Sequence, residues 1–168
     1  METMHIIDSG ESSTKYDPET KCGVDQKCIL ELTNLIYLEC RNNKKIANVN
    51  HLAGSLEYLD CSGKYSGIFQ NGISELKYVH TLFCDMNINI YDFNHMGNTL
   101  KKLCCSDTDV KYEGIKNLSK LEYLDCSHCA GINNIDDIAN ISGNLTGLAY
   151  SHLNNFNKDR LDSYGKNS

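Results

Sequence analysis

Apolar residues recur along this chain in a frame that returns every twenty-odd positions. The hexads Leu35–Cys40 (LIYLEC), Leu56–Cys61 (LEYLDC) and Leu121–Cys126 (LEYLDC) are near copies of one another. Val79–Cys84, Leu100–Cys105 and Leu145–Tyr150 keep the frame, the last with Tyr in place of the closing Cys. Their last residues are 21, 23, 21, 21 and 24 positions apart. Alternation within a hexad predicts a short strand whose fourth and sixth residues face a core, while the third, the fifth and the residue after the hexad face outward. Ahead of each hexad sits an apolar pair spaced by three: Ile29/Leu32, Val49/Leu52, Ile73/Leu76, Phe93/Met96, Ile115/Leu118 and Ile138/Ile141. That spacing suits a short helix or a 3₁₀ turn. After each of the first five hexads an Ile or Val returns to the core: Ile46, Ile68, Ile90, Val110 and Ile132.

The units also alternate. In the second, fourth and sixth, Gly54, Gly97 or Gly143 lengthens the step from the apolar pair to the hexad by one residue. The result is a super-period of two units, seen in the 44 positions that separate both Cys40 from Cys84 and Cys61 from Cys105. One unit cannot bury its own apolar face, but stacked neighbours can. Six strands at ~4.8 Å spacing would make a parallel sheet roughly 24–29 Å long, an α/β arrangement with short helical or irregular segments on the other side.

The hexads with their flanking positions resemble the leucine-rich repeat family, whose pattern is L-x-x-L-x-L-x-x-N/C-x-L. The resemblance runs from about Cys28 to Leu153, with Cys in the third apolar slot of five of the six units. It implies a curved solenoid with the parallel sheet on its concave face and short helices or irregular segments on its convex face. The slot that holds Asn in the family reads Asn43, Lys64, Asn87, Thr108, Cys129 and Leu153. Lys64 and Leu153 depart from the pattern, which argues against a continuous asparagine ladder. The Cys-bearing, Asn- and Ile-rich form is similar to repeat proteins encoded by large AT-rich DNA viruses and by amoebae. The expected organisation is a polar tail at 1–21, a repeat domain at 22–153 with an N-terminal cap around Cys22 to Cys28, and a C-terminal cap or tail at 154–168.

Composition narrows the function. The chain has 168 residues and a formal net charge of −6, which argues against a broad nucleic-acid surface and against electrostatic attachment to anionic lipid. No apolar run reaches the length of a membrane span, and Met1 to Gly10 has no secretory signal pattern. Nine Cys without an export signal read as reduced thiols in an intracellular, cytoplasmic setting. Asn (19), Ile (14) and Lys (14) against 2 Arg are the residues of AT-rich codons, so an abundance of Asn is not itself a functional signal.

Candidate chemistry is sparse. Cys126-Ser127-His128-Cys129 has the spelling of a metal knuckle, but the unit pattern already explains Cys126 as a core position and Cys129 as an asparagine-slot residue. The column Cys40, Cys61, Cys84, Cys105 and Cys126 is expected to be a buried row of small apolar side chains with inert thiols. Cys104 is expected to point outward and to be the reactive thiol. His51 and His95 occupy matching positions, which repetition explains better than catalysis. Phosphate-binding glycine loops, zincin motifs and a Ser/His/Asp grouping are absent, so no catalytic residue, metal or cofactor is expected.

The outward side of the predicted sheet carries what remains. Tyr37, Glu39, Tyr58, Asp60, Phe83, Asp85, Lys102, Tyr123 and Asp125 would share one face. Tyr supplies large contact area with a polar tip, and the acids would favour a basic partner. The expectation is therefore a non-enzymatic module that binds a protein or peptide, basic by complementarity, through this face. The alternative is an adaptor or regulatory subunit that recruits a substrate to an enzyme such as a ubiquitin ligase.

Overall fold

The computed structural model describes residues 24–151. The expected tail at 1–21, Cys22 of the expected cap, Leu153 and the expected segment at 154–168 lie outside the described residues. Each hexad contributes one three-residue strand: β1 (Tyr37–Glu39), β2 (Tyr58–Asp60), β3 (Thr81–Phe83), β4 (Lys102–Cys104), β5 (Tyr123–Asp125) and β6 (Gly147–Ala149). They form one all-parallel sheet in chain order. The same hexad position pairs with itself across every step, from Leu38↔Leu59 to Leu124↔Leu148.

This register stacks like on like. Leu38, Leu59, Leu82, Leu103 and Leu124 form a fully buried column, whereas Leu148 on the last strand is half-buried. Cys40, Cys61, Cys84, Cys105 and Cys126 form a second buried column beside it. A thiol is a weak donor, and here it has a consistent use. The Sγ atoms of Cys61, Cys84, Cys105 and Cys126 lie 3.5, 3.4, 3.3 and 3.7 Å from the carbonyls of Phe83, Cys104, Asp125 and Ala149 on the following strand. Burial pushes the Cys40 and Cys126 thiols up to about 12 and holds Cys61 and Cys84 well above the ordinary thiol value.

Behind the sheet, the spacing of three in each apolar pair closes a turn. In all six pairs the N–H of the second residue donates to the carbonyl of the first, at 2.9–3.1 Å. The first pair begins on α1 (Gln26–Leu30), where Asp25 caps the helix by accepting from the backbone N–H groups of Lys27 and Cys28. The last begins on α2 (Ile135–Ala139). Between them, 3₁₀ segments Asn50–Leu52 and Asn94–Met96 end on the pair, while Gln70–Gly72 and Tyr112–Gly114 end just before it. The predicted two-unit period is thus visible in the backbone.

Polar side chains repeat it. The Gln26 amide donates to Asn48 O at 2.7 Å and accepts from the N–H groups of Ala47 and Asn48. Gln70, 44 positions on, donates to Asp92 O at 2.7 Å and accepts from Tyr91 and Asp92. Asn50 and Asn94 brace the next unit in the same paired way. The rings of His51 and His95 each place Nε2 2.9 Å from a carbonyl of the preceding unit, Ile29 O and Ile73 O. Their matching positions reflect matching structural work. Units pack closely here: a Cβ on Gly114 would sit 2.0 Å from Tyr91 O.

Two turn features differ from the linear pattern. Asn42, Gly63, Met86, Asp107 and His128, the second residue after each of the first five hexads, all have φ between 54° and 104°. Asn, Asp, His and above all Gly adopt that left-handed conformation more readily than other residues, so Met86 is the member that bears a steric cost, roughly 1 kcal/mol. In the asparagine slot, Asn43, Asn87, Thr108 and Cys129 are buried while Lys64 is exposed. The extra residue between Cys61 and Ile68 moves Ser66 into the buried turn, and Asn87 reaches back to cover Cys61 O and Ile68 O at 3.2 and 3.1 Å.

Leu59→Ala and Leu124→Ala should each lower stability by roughly 2–5 kcal/mol through the cavity they leave. Glu57→Ala and Glu122→Ala lose only exposed contacts with His80 and Lys101 and should stay within about 0.5 kcal/mol. Equal costs in denaturant melts would break the stacked-column account. The raised thiols carry a second outcome. In the unfolded chain they ionise near 9.0, while the folded protein keeps its protons, so each raised thiol weakens folding as pH climbs from there toward 12. The melting temperature should fall steeply above pH 9, with Tyr37, Tyr58 and Tyr123, raised by burial, adding to the slope at higher pH. In denaturant melts, Cys61→Val should flatten the fall of unfolding free energy by about 1.4 kcal/mol per pH unit; an unchanged slope would remove Cys61 from the explanation.

Candidate partner-binding face

The register places the outward residues in rows. One row runs Tyr37, Tyr58, Thr81, Lys102, Tyr123, Gly147, and the next runs Glu39, Asp60, Phe83, Cys104, Asp125, Ala149. Tyr37 and Tyr58 stack with ring centroids 4.0 Å apart and planes 10° from parallel. Unit three has the small Thr81 in the tyrosine row, and Phe83 from the second row packs against Tyr58 instead, at 5.6 Å and 44°. Beyond it the Lys102 ammonium lies 4.9 Å from the centroid of Phe83 and 5.0 Å from that of Tyr123. Gly147 leaves room for the last ring, since a Cβ there would come within 2.5 Å of Tyr123. A continuous strip, Tyr37–Tyr58–Phe83–Lys102–Tyr123, therefore crosses five strands. Each aromatic pair adds about 0.5–1.5 kcal/mol beyond its area, and each cation–π contact a similar amount.

The charged members are less free than their sequence positions imply. The Tyr37 hydroxyl donates to Glu39, and burial together with that carboxylate holds the phenol far above its ordinary value. Asp85 accepts from the N–H and hydroxyl of Ser106 at 2.9 and 2.7 Å. Asp125 accepts from Ser127 N–H at 3.0 Å, and Asp60 from Ser62 N–H at the same distance. Asp60 is the main correction. It was expected at the solvent face but is only 7% exposed, with Arg41 3.6 Å from its outer oxygen. A short side chain in a row between Glu39 and Phe83 is walled in by its neighbours.

Cys104 is the second correction. It lies on the outward row, yet it is buried, and desolvation raises its thiol to about 12. A small side chain flanked by Phe83 and Asp125 does not reach water. Burial thus removes the ground on which it is expected to be the reactive thiol, and Cys28 is the exposed one among the described cysteines. Cys129 behaves differently from the rest. The Cys105 thiol and the Thr108 hydroxyl bring it down to about 7 against the effect of burial. Cys126 and Cys129 each approach a carbonyl, Ala149 O at 3.7 Å and Cys105 O at 2.9 Å. Among the described residues no group of three or more His, Cys, Asp or Glu is placed to hold a metal ion, and no helix is long and apolar enough to cross a membrane.

Because Asp60 secures the turn after β2, Asp60→Ala should cost roughly 1–2 kcal/mol in a thermal or denaturant melt. Asp60→Asn keeps the acceptor for Ser62 N–H and should recover most of it. If Ala and Asn prove equally mild, the carboxylate is a free surface charge after all.

Compared with known proteins, the chain matches no family model and no curated protein, so the meaning of this face rests on its own geometry.

Proposed function

We propose that the chain is a leucine-rich repeat protein, a curved solenoid with the sheet on its concave side, acting as a non-catalytic module that holds a protein or peptide on that face. The observation that carries this reading is the stacked strip from Tyr37 to Tyr123. Rings that already support one another lose little freedom when a partner covers them, so more of the contact energy appears as affinity. Large aromatic side chains are also the usual anchors of protein interfaces. Around the strip, Glu39, Asp60, Asp85 and Asp125 outnumber Arg41 and Lys102, which favours a basic partner and speeds its approach.

The test starts with affinity capture of a partner, followed by calorimetric titration. Tyr58→Ala and Phe83→Ala, at the centre of the strip, should each weaken binding by about 1–2 kcal/mol, a factor of five to thirty. Lys116→Glu, exposed behind the sheet, should leave affinity unchanged. Loss of binding in Lys116→Glu with silent Tyr58 and Phe83 variants would move the site off this face.

A further inference from the structure

A second surface lies along the edge where the chain leaves the strands. Tyr65, Phe69, Met86, Ile88 and Tyr91 are each 50–59% exposed there. They lie together because backbone and amide bonds stitch the second turn to the third. Gly63 N–H donates to Asp85 O at 2.7 Å, Gln70 N–H to Asn89 O at 2.9 Å, and Tyr91 N–H to the Gln70 side chain at 2.9 Å. Half-exposed side chains of this size offer roughly 100 Å² apiece, so the patch is about 500 Å² before any polar rim is counted. A stable interface needs about 800 Å² from each side, within reach once the rim is added.

The charge along this edge is ordered. The fourth residue after each hexad reads Lys44, Tyr65, Ile88 and Asp109 through the first four units, all exposed. Lys45 strengthens the basic end and Asp107 the acidic end, where Lys111 offsets part of the charge; Lys64, on the second unit, lies 4.8 Å from the Tyr65 ring centroid. The residue after each returning core Ile or Val reads Ala47, Phe69, Tyr91 and Lys111. A two-fold axis between the second and third units would set Lys44 against Asp109, Tyr65 against Ile88, Phe69 against Tyr91, and Lys111 against the small Ala47. An isologous interface requires this self-complementarity.

The geometry points to a second copy of this chain as the occupant: we propose that the Tyr65–Tyr91 edge is the interface of an antiparallel homodimer, with Lys44 of each copy facing Asp109 of the other. The sheet face lies outside this contact, so its own test is independent of dimerisation.

Sedimentation of the full chain over a dilution series should show a dimer that dissociates on dilution. Tyr65→Glu with Ile88→Glu should give a monomer whose circular dichroism is unchanged. Lys44→Asp alone and Asp109→Lys alone should each weaken self-association by about fivefold or more, because symmetry turns both ion pairs into like-charge pairs. Combining the two reversals in one chain should restore association. A monomer at every concentration, a dimer indifferent to the Tyr65 and Ile88 changes, or a double reversal no tighter than either single one would overturn the proposal.

Discussion

Zero slip between adjacent strands is the constraint on which the remainder depends. Because each hexad position lies beside its own equivalent, a choice made once per unit becomes a column. Leucines build a dry core, thiols fill the narrow space at the strand ends and touch the next strand's carbonyls, and rings stack in the open. A slip of one residue in any pair would send leucines outward and tyrosines inward, so burial on one side fixes the register everywhere.

Most of this architecture was legible in the linear pattern. The strand positions, the outward rows and the apolar pairs behind the sheet follow from spacing alone, since a period of two and a spacing of three each permit only a narrow range of backbone. What spacing does not encode is the size of neighbours across the sheet. Asp60 and Cys104 occupy outward positions but are too short to clear Phe83 and the larger side chains beside them, and so they end buried. The left-handed turn residues are partly signalled by Asn42, Gly63, Asp107 and His128, but Met86 carries no such signal; its N–H donates to Ser106 O of the next unit at 2.8 Å. The Gln26 and Gln70 braces were hidden for another reason: an amide on a polar stretch looks like any solvated side chain until the facing carbonyl is known.

The candidate face keeps its rings and acids on two adjoining rows, but its charges are less free than their positions imply. Its rings are more organised than their spelling implied, since Phe83 crosses from one row to fill the gap that Thr81 leaves. Its acids are mostly committed to turns, so the proposed preference for a basic partner comes from the field they create more than from free carboxylates awaiting a contact.

The braces behind the sheet have a consequence for how such a chain could grow or shrink. Gln26 and Gln70 perform one task 44 positions apart, as do Asn50 with Asn94 and His51 with His95. Across the first four units, odd and even members are therefore distinct parts, each shaped for the other. Deleting a single unit would bring two parts of the same kind together and leave carbonyls without the amides that serve them, whereas removing a couplet would rejoin compatible surfaces. Within the first four units, then, the joint that these amides make is a property of the couplet and not of the single unit.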